Sequence, residues 1–508
     1  MNASSDVVPK QPRLSVQAFW LTFSKLITAL LNIALPILLV RLMSQAEYGV
    51  FKQAFLFTGT ATNVANLGVS MSAFYFIPRH PERGGQVAFN ILLYNMVAGW
   101  VPLIVLSFYP QVLRMLFKTD ELIPLAFLLG LLVFLTMTAS LVQNLPSALE
   151  DVRYSTVLIV GTQLAKVIMM AAAVLLFHTV KSLIIAAVLN QLLNGALLYW
   201  YLNLRFPRFW TQFEWKAFRE QLAYALPYGA VGIIWVIQKD LDNYFVSASL
   251  GPRDYAIYAV GWLEIPLISL FLESVVVVLT VRVSKLQKED RKEDIIRTTA
   301  AAATRLSAIQ LPIYTFLLVA GHDLIVLLYT KIYEPSARIF AVTITLLLFT
   351  FFLSEPIVRA YAHLRNIVLG IKIFNFVLLF CALFPVIHYF GMMGAAVVAV
   401  AIQICERVLT AFAAAKTVNA RFRHLALYYD LFKIMALTAA AGFFSYTVRN
   451  FISPALLVPR ISAVAICFAL LYLPPFYFMR LPGWEVMSTQ RVHSFVRARL
   501  AGMRGTTA

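Results

Sequence analysis

Three charged residues lie within one helical turn of the segment VIQKDLDNYF, residues 236–245, which is flanked by apolar stretches. A charged side chain at the centre of a membrane helix costs about 2.5–3.5 kcal/mol on insertion scales. Lys239 and Asp242 share a helix face and can pair, whereas Asp240 points about 100° away and needs another partner. The lysine could bind an anion and the carboxylates could bind H⁺ or Na⁺. A buried structural ion network is the alternative.

The elements around this segment are those of a membrane protein. Hydrophobic residues make up 61% of the chain and charged residues 13%, and the mean hydropathy is +0.78. Soluble domains have about 45–50% apolar and about 25% charged residues. The continuously apolar runs favour helices over barrel strands, which would alternate. The sequence predicts an all-α polytopic membrane protein with about 14 transmembrane helices, at 16–40, 49–77, 86–109, 123–146, 155–177, 182–202, 221–249, 255–280, 300–320, 337–354, 367–388, 392–415, 430–448 and 461–479.

The positive charges predict the orientation of these spans. With a cytoplasmic N-terminus, about 27 of the 42 Lys and Arg residues fall in cytoplasmic loops, about nine on the other side and about six within spans. An even number of spans returns the C-terminus to the cytoplasm. The net charge of +18 therefore reflects topology, and no nucleic-acid partner is expected. The basic tail, 481–508, is either a helix on anionic lipid or a solvated end.

The first apolar stretch is too long for a cleavable signal and is expected to remain as span one. The three cysteines lie far apart within predicted spans, so their spacing indicates neither a disulfide framework nor a metal site. No Walker A or Gly-rich phosphate loop is present in the sequence. We therefore expect no cofactor, no metal and no enzyme activity.

Three segments recur along the chain in the same order. LMSQAEYGVF (42–51) matches SLGPRDYAIY (249–258) at an offset of about 207. VLRMLFKTDELIPLA (112–126) matches LIVLLYTKIYEPSA, and EDVRYS (150–155) matches AHLRNI, both at about 212. An even number of spans per copy predicts two parallel six-helix repeats plus two C-terminal helices. The predicted domains are bundles at 1–204 and 221–416, a basic cytoplasmic linker at 205–220, extra helices at 417–480 and a basic cytoplasmic tail at 481–508.

The same junctions carry a family resemblance. LLVRLMSQAEYGVFKQAF resembles the first-to-second span junction of Wzx-type oligosaccharide flippases, and DNYFVSASLGPRDYAIYAVGW resembles their seventh-to-eighth junction. One departure is Ala256, where the family usually has Gly. The family belongs to the multidrug/oligosaccharidyl-lipid/polysaccharide exporter (MOP) superfamily. The residues that carry the resemblance are Arg41, Leu42, Glu47, Tyr48, Gly49, Asp242, Gly251 and Tyr258.

The resemblance implies a flippase for polyprenyl-diphosphate-linked oligosaccharide in surface polysaccharide biosynthesis. It would work by alternating access of two bundles around a central polar cationic cavity in the bacterial inner membrane. The implied partners are the lipid-linked glycan, the lipid bilayer, a coupling cation (H⁺ or Na⁺) and polysaccharide polymerases. The alternative is a MATE-like, cation-coupled exporter of small amphipathic molecules. The cavity of such an exporter is expected to be acidic, and the deep lysines argue against it.

A diphosphate cannot enter a low-dielectric region without cationic partners. The substrate-binding candidates are therefore the lysines within predicted spans, and the coupling-ion candidates are the acidic residues of spans seven and eight. Lys52 could instead snorkel to the interface, and Glu406 and Arg407 could form a local pair. The resembling lipid II flippases have a cation on span eight, where this chain has none. The substrate candidates are Lys25, Lys52, Lys166 and Lys239, and the ion candidates are Asp240, Asp242, Glu264 and Glu273.

The charge distribution makes a testable topology prediction. Reporter fusions after residues 82, 210 and 288 should read cytoplasmic, and fusions after 118, 252 and 332 should read periplasmic, because Lys and Arg are retained on the cytoplasmic side. Paired alkaline phosphatase and fluorescent-protein fusions measure this. A periplasmic reading at 288 would contradict the two-repeat architecture.

Overall fold

The fold is helical throughout the part of the chain that this computed structural model describes, residues 14–263, 265–479 and 481–482, with side chains for all but 14–22, 228 and 267. Short 3₁₀ turns join several helices. The chain packs as two compact units that divide after Ala256. The helices are α1 (Leu14–Leu42), α2 (Gln45–Asn66), α3 (Ala73–Arg79), α4 (Gly84–Phe108), α5 (Gln111–Phe117), α6 (Ala126–Thr138), α7 (Leu141–Ala148), α8 (Val152–Phe177), α9 (Val180–Arg205), α10 (Trp215–Gly261), α11 (Pro266–Lys288), α12 (Lys292–Tyr329), α13 (Ser336–Thr343), α14 (Glu355–Ala360), α15 (Leu364–Thr417), α16 (Tyr429–Phe451) and α17 (Leu457–Phe478).

The described helices include nine that are long and apolar enough to cross a membrane. Hydrocarbon offers no hydrogen-bond partner to the backbone, so a spanning segment must satisfy its own N–H and C=O groups, as a helix does. Many large apolar side chains are correspondingly exposed on the outer surfaces of the helices. The prediction of an all-α polytopic membrane protein is confirmed.

Breaks with left-handed backbone divide the longest helices. α15 has 54 residues, which at 1.5 Å per residue would extend about 80 Å, far beyond the roughly 30 Å of hydrocarbon. Gly391, with φ of 59° and ψ of −150°, interrupts it, so that the predicted spans 367–388 and 392–415 lie on either side. α10 is interrupted in the same way at Gly251. A residue with a Cβ would be strained at these two positions.

The breaks recur at matching positions in the two halves. Lys118 and Thr330 both have positive φ and both end a helix. About 212 residues also separate the break at His178 from the break at Gly391. The sequence repeat is therefore accompanied by a repeat in helix boundaries, although the residue types at the breaks differ.

In the first unit, a buried polar network joins α2, α4 and the start of α7. The Asn95 amide donates to the hydroxyls of Ser140 at 2.9 Å and Ser70 at 3.2 Å. Asn66 donates to Ser70 at 2.7 Å and to Asn95 at 3.1 Å. Interhelical bonds of this kind hold helices together where apolar contact alone gives little advantage over lipid.

In the second unit, an ion cluster attaches α16 and α17 to α12. Asp323 on α12 is 1% exposed and receives two hydrogen bonds from Arg449, at 2.8 and 3.0 Å, and one from Arg460 at 3.3 Å. His322 lies 3.2 Å from Asp323 and 3.1 Å from Glu334. The C-terminal helix pair is therefore bound to the bundle by buried charges as well as by apolar packing.

Replacing Asp323 by Ala should lower the free energy of unfolding by about 3–5 kcal/mol, because Arg449 and Arg460 would remain buried without their carboxylate. Thermal unfolding of the purified protein in detergent measures this. The matched control is Glu355→Ala, which removes an exposed pair with Arg359 and should cost about 0–1 kcal/mol. Equal losses in the two variants would show that the cluster does not stabilise the unit.

Candidate functional site

The candidate site lies along the packed surface between α2 and α10 in the first unit, which we call the seam. A Cβ built on Gly49 would lie 1.9 Å from the carbonyl oxygen of Pro252, and one on Gly229 would lie 2.0 Å from that of Leu67. Only glycine permits this approach of the two backbones. The two helices run antiparallel along the seam, because the start of α2 contacts a late part of α10 and the end of α2 contacts an early part.

The start of α2 is fixed by a capping box. The Glu47 N–H donates to the Ser44 hydroxyl at 3.3 Å, and the Ser44 N–H donates to the Glu47 carboxylate at 3.0 Å. Arg253 on α10 donates to the side chain of Gln45 at 3.1 Å. The junction motif that carries the family resemblance thus also sets where α2 begins and where it meets α10.

Two polar contacts cross the seam between the glycines. The Thr60 hydroxyl donates to Asp240 at 2.8 Å, and the Gln53 amide donates to the Ser247 hydroxyl at 2.7 Å. Thr60 is thus the partner that Asp240 needs, because Asp240 points away from the helix face shared by Lys239 and Asp242. Asp242 is 3% exposed and accepts a bond from Asn243 at 3.3 Å.

Thr60, Gln53 and Ser247 are not among the residues predicted from the sequence. A signal was nevertheless present, because Gln53 and Thr60 are seven residues apart, as are Asp240 and Ser247. Residues at heptad spacing lie on one helix face, and two such polar pairs of matched spacing are expected where two helices pack along their length.

The four predicted lysines lie on four helices of the first unit. Lys25 on α1 and Lys239 on α10 have exposed side chains, and Lys52 on α2 is half-buried. The ammonium of Lys239 is 5.6 Å from the centre of the Trp235 ring, and that of Lys52 is 5.6 Å from the centre of the Tyr48 ring. Both distances fall within the range of cation–π attraction.

Lys166 differs from the other three lysines. It is half-buried near the middle of α8, 14 positions after Val152 and 11 positions before Phe177. Among the described side chains, none forms a hydrogen bond or an ion pair with it. At 1.5 Å per residue, more than about 15 Å separates it from either end of the helix, which is a long way for a lysine to snorkel.

The remaining predicted residues are elsewhere. Glu273 is exposed on α11 and belongs to the second unit, whereas Asp240 and Asp242 belong to the first. Glu264 lies outside the described residues. Glu406 forms an ion pair with Lys372, and Arg407 donates to the Leu346 carbonyl at 2.7 Å, so each finds a partner other than its neighbour. Within the described part of the chain, no His, Cys, Asp and Glu residues cluster in a way that could hold a metal ion.

Comparisons with known proteins agree with this architecture. Residues 16–287 match the family model described as "Polysaccharide biosynthesis protein". No curated protein sequence matches the chain significantly.

Solved structures share the fold at low identity. Lipid II flippase MurJ, in an inward closed conformation, is 15% identical with a TM-score of 0.64, over 91% of this chain and 99% of that one. An inward-facing multidrug resistance MATE family transporter of the MOP superfamily is 15% identical with a TM-score of 0.64, over 80% and 98%. A MOP superfamily transporter from Pyrococcus furiosus is 15% identical with a TM-score of 0.56, over 80% and 96%. The chain therefore has the MOP fold.

A double-mutant cycle tests the seam. Thr60→Val should lower the free energy of unfolding by about 1.5–3 kcal/mol, because it removes a hydrogen bond to a carboxylate. In the Asp240→Asn background the same change should cost less, giving a coupling of at least about 0.5 kcal/mol. Thr58→Val is the matched control, since the Thr58 hydroxyl donates only to the Ala54 carbonyl of its own helix. Additive losses at positions 60 and 240 would contradict the contact.

Proposed function

Because the chain belongs to the polysaccharide biosynthesis protein family, we propose that it is a flippase for a polyprenyl-diphosphate-linked oligosaccharide. It would carry this substrate across the bacterial inner membrane by alternating access, with both termini in the cytoplasm. The MOP fold supports the proposal, since relatives of that fold include a lipid II flippase. A coupling cation and a polymerase partner belong to the same proposal.

The observation that carries this function is Lys166. A charged residue within an apolar helix costs free energy, and Lys166 has no partner among the described side chains to offset that cost. A residue of this kind is explained if a ligand supplies the missing anion during transport. A diphosphate has the required charge, and each charge-assisted hydrogen bond to it would contribute about 1.5–3 kcal/mol.

Lys25, Lys52 and Lys239 are the other candidates for the diphosphate. They lie on separate helices of the same unit as Lys166. Several cations on one unit would allow the diphosphate to bind successive lysines as it crosses the membrane. Lys52 has the weakest case, because its position near the end of its predicted span lets it reach the interface without substrate.

Asp240 and Asp242 are proposed to bind the coupling cation, H⁺ or Na⁺. Asp242 is buried on α10. Asp240 accepts a hydrogen bond from Thr60, so a change in the charge of Asp240 would alter a contact between α2 and α10. Glu273 remains a weaker candidate, because its side chain is exposed on another unit. Glu264 remains a candidate from the sequence alone.

Lys166→Met should slow flipping by roughly one to two orders of magnitude, since 1.4 kcal/mol is about tenfold. It should also leave the thermal stability unchanged or raise it, because an unpaired charge is removed from an apolar helix. Lys25→Ala and Lys239→Ala should slow flipping to a similar degree and more than Lys52→Ala does. Lys→Arg should retain much of the activity, because the charge is kept.

The assay is accumulation of undecaprenyl-linked glycan on the cytoplasmic face and loss of surface polysaccharide in a complemented deletion strain. Lys181→Met, at an exposed helix end, is the matched control and should transport normally. Asp240→Asn and Asp242→Asn should abolish transport in protein that still folds. Wild-type flipping by Lys166→Met, Lys25→Ala and Lys239→Ala would contradict the cationic path, and export of small amphipathic cations instead would favour the MATE-like alternative.

A further inference from the structure

The segment between α9 and the first turns of α10 is held against the bundle. The Gln86 amide on α4 donates to Glu214 at 3.1 Å. Phe89 on α4 makes ring contacts with Phe209 at 6.2 Å and with Phe213 at 6.4 Å between centroids. The segment therefore presents a fixed outer face rather than a loose loop.

The segment carries exposed aromatic and exposed basic side chains beside two exposed carboxylates, Glu214 and Glu220, and we call its aromatic and basic side chains the linker face. Its aromatic members are Trp210, 45% exposed, and Trp215, 67% exposed. Its basic members are Arg208, Lys216 and Arg219, all exposed. Among the described side chains none forms an ion pair with these three, so their charges are available to a ligand.

The position of the linker face along the chain places it where hydrocarbon ends. The membrane-spanning candidate Val180–Arg205 finishes immediately before it. The helical segment Trp215–Pro227 is bent by 40° from Gly229–Gly261. A segment that leaves a span and turns aside, with Trp at its surface, has the character of an element lying at the headgroup level.

We propose that the linker face binds the headgroups of anionic phospholipids. The indole rings would insert beside the glycerol region, and the three cations would contact lipid phosphates above them. Unpaired basic side chains alone would suit any acidic partner. The exposed tryptophans and the adjoining span end favour a membrane surface over an acidic protein or a soluble phosphate.

Native mass spectrometry of the full-length protein tests the proposal with two lipids, dioleoyl phosphatidylglycerol and dioleoyl phosphatidylcholine. The wild-type protein should bind phosphatidylglycerol roughly a hundredfold more tightly than phosphatidylcholine. Each removed cation should weaken that binding about fivefold, so the triple variant Arg208→Gln, Lys216→Gln, Arg219→Gln should lose roughly a hundredfold. Binding of phosphatidylcholine should be unchanged, and the readout does not depend on transport.

The matched control removes three exposed lysines outside the linker face, as Lys118→Gln, Lys181→Gln, Lys331→Gln. This variant should keep the preference for phosphatidylglycerol although its net charge falls equally. An equal loss in both triple variants would overturn the proposal, since net charge would then explain the binding. Displacement of phosphatidylglycerol by equimolar inorganic phosphate or by an acidic peptide would also overturn it, because the face would then recognise an anion without a membrane.

Discussion

Hydrocarbon offers no partner to a polar group, and this constraint organises the structure. A charged side chain in an apolar helix is costly unless a partner within the protein or a ligand offsets its charge, and a polar one is stabilised by a hydrogen bond to another helix. Asn95 and Asp323 find partners on other helices, and these contacts define how the helices pack. Lys166 finds none among the described side chains, and for the same reason it becomes the strongest functional candidate.

The sequence predicts the fold class well because hydropathy reports the free energy of transferring each segment from water into lipid, and this free energy decides which segments span the membrane. It predicts helix boundaries less well, since these depend on local backbone geometry. The predicted span 49–77 ends in the structure at Asn66, where Leu67 adopts a left-handed conformation. The predicted span 255–280 is interrupted before Pro266, at which α11 begins. Neither interruption changes the apolar character of the segment, so hydropathy does not detect it.

The candidate site likewise has features that the sequence predicts and features that it does not. Lys239, Asp240 and Asp242 are charged residues in an apolar stretch, so the sequence alone identifies them as candidates. The partner of Asp240 is Thr60, 180 residues away, and a threonine within a membrane helix carries no distinguishing signal by itself. The roles of Gly49 and Gly229 are equally hidden, because a close backbone approach depends on which helices pack together.

The Asp323 cluster bears on whether the C-terminal helix pair is a dispensable module. Both arginines that neutralise Asp323 come from that pair, Arg449 from α16 and Arg460 from α17. A chain truncated before α16 would leave the Asp323 carboxylate on α12 without either arginine. The packing of α12 in this protein therefore depends on α16 and α17, and the helix pair cannot be exchanged or deleted without also replacing Asp323.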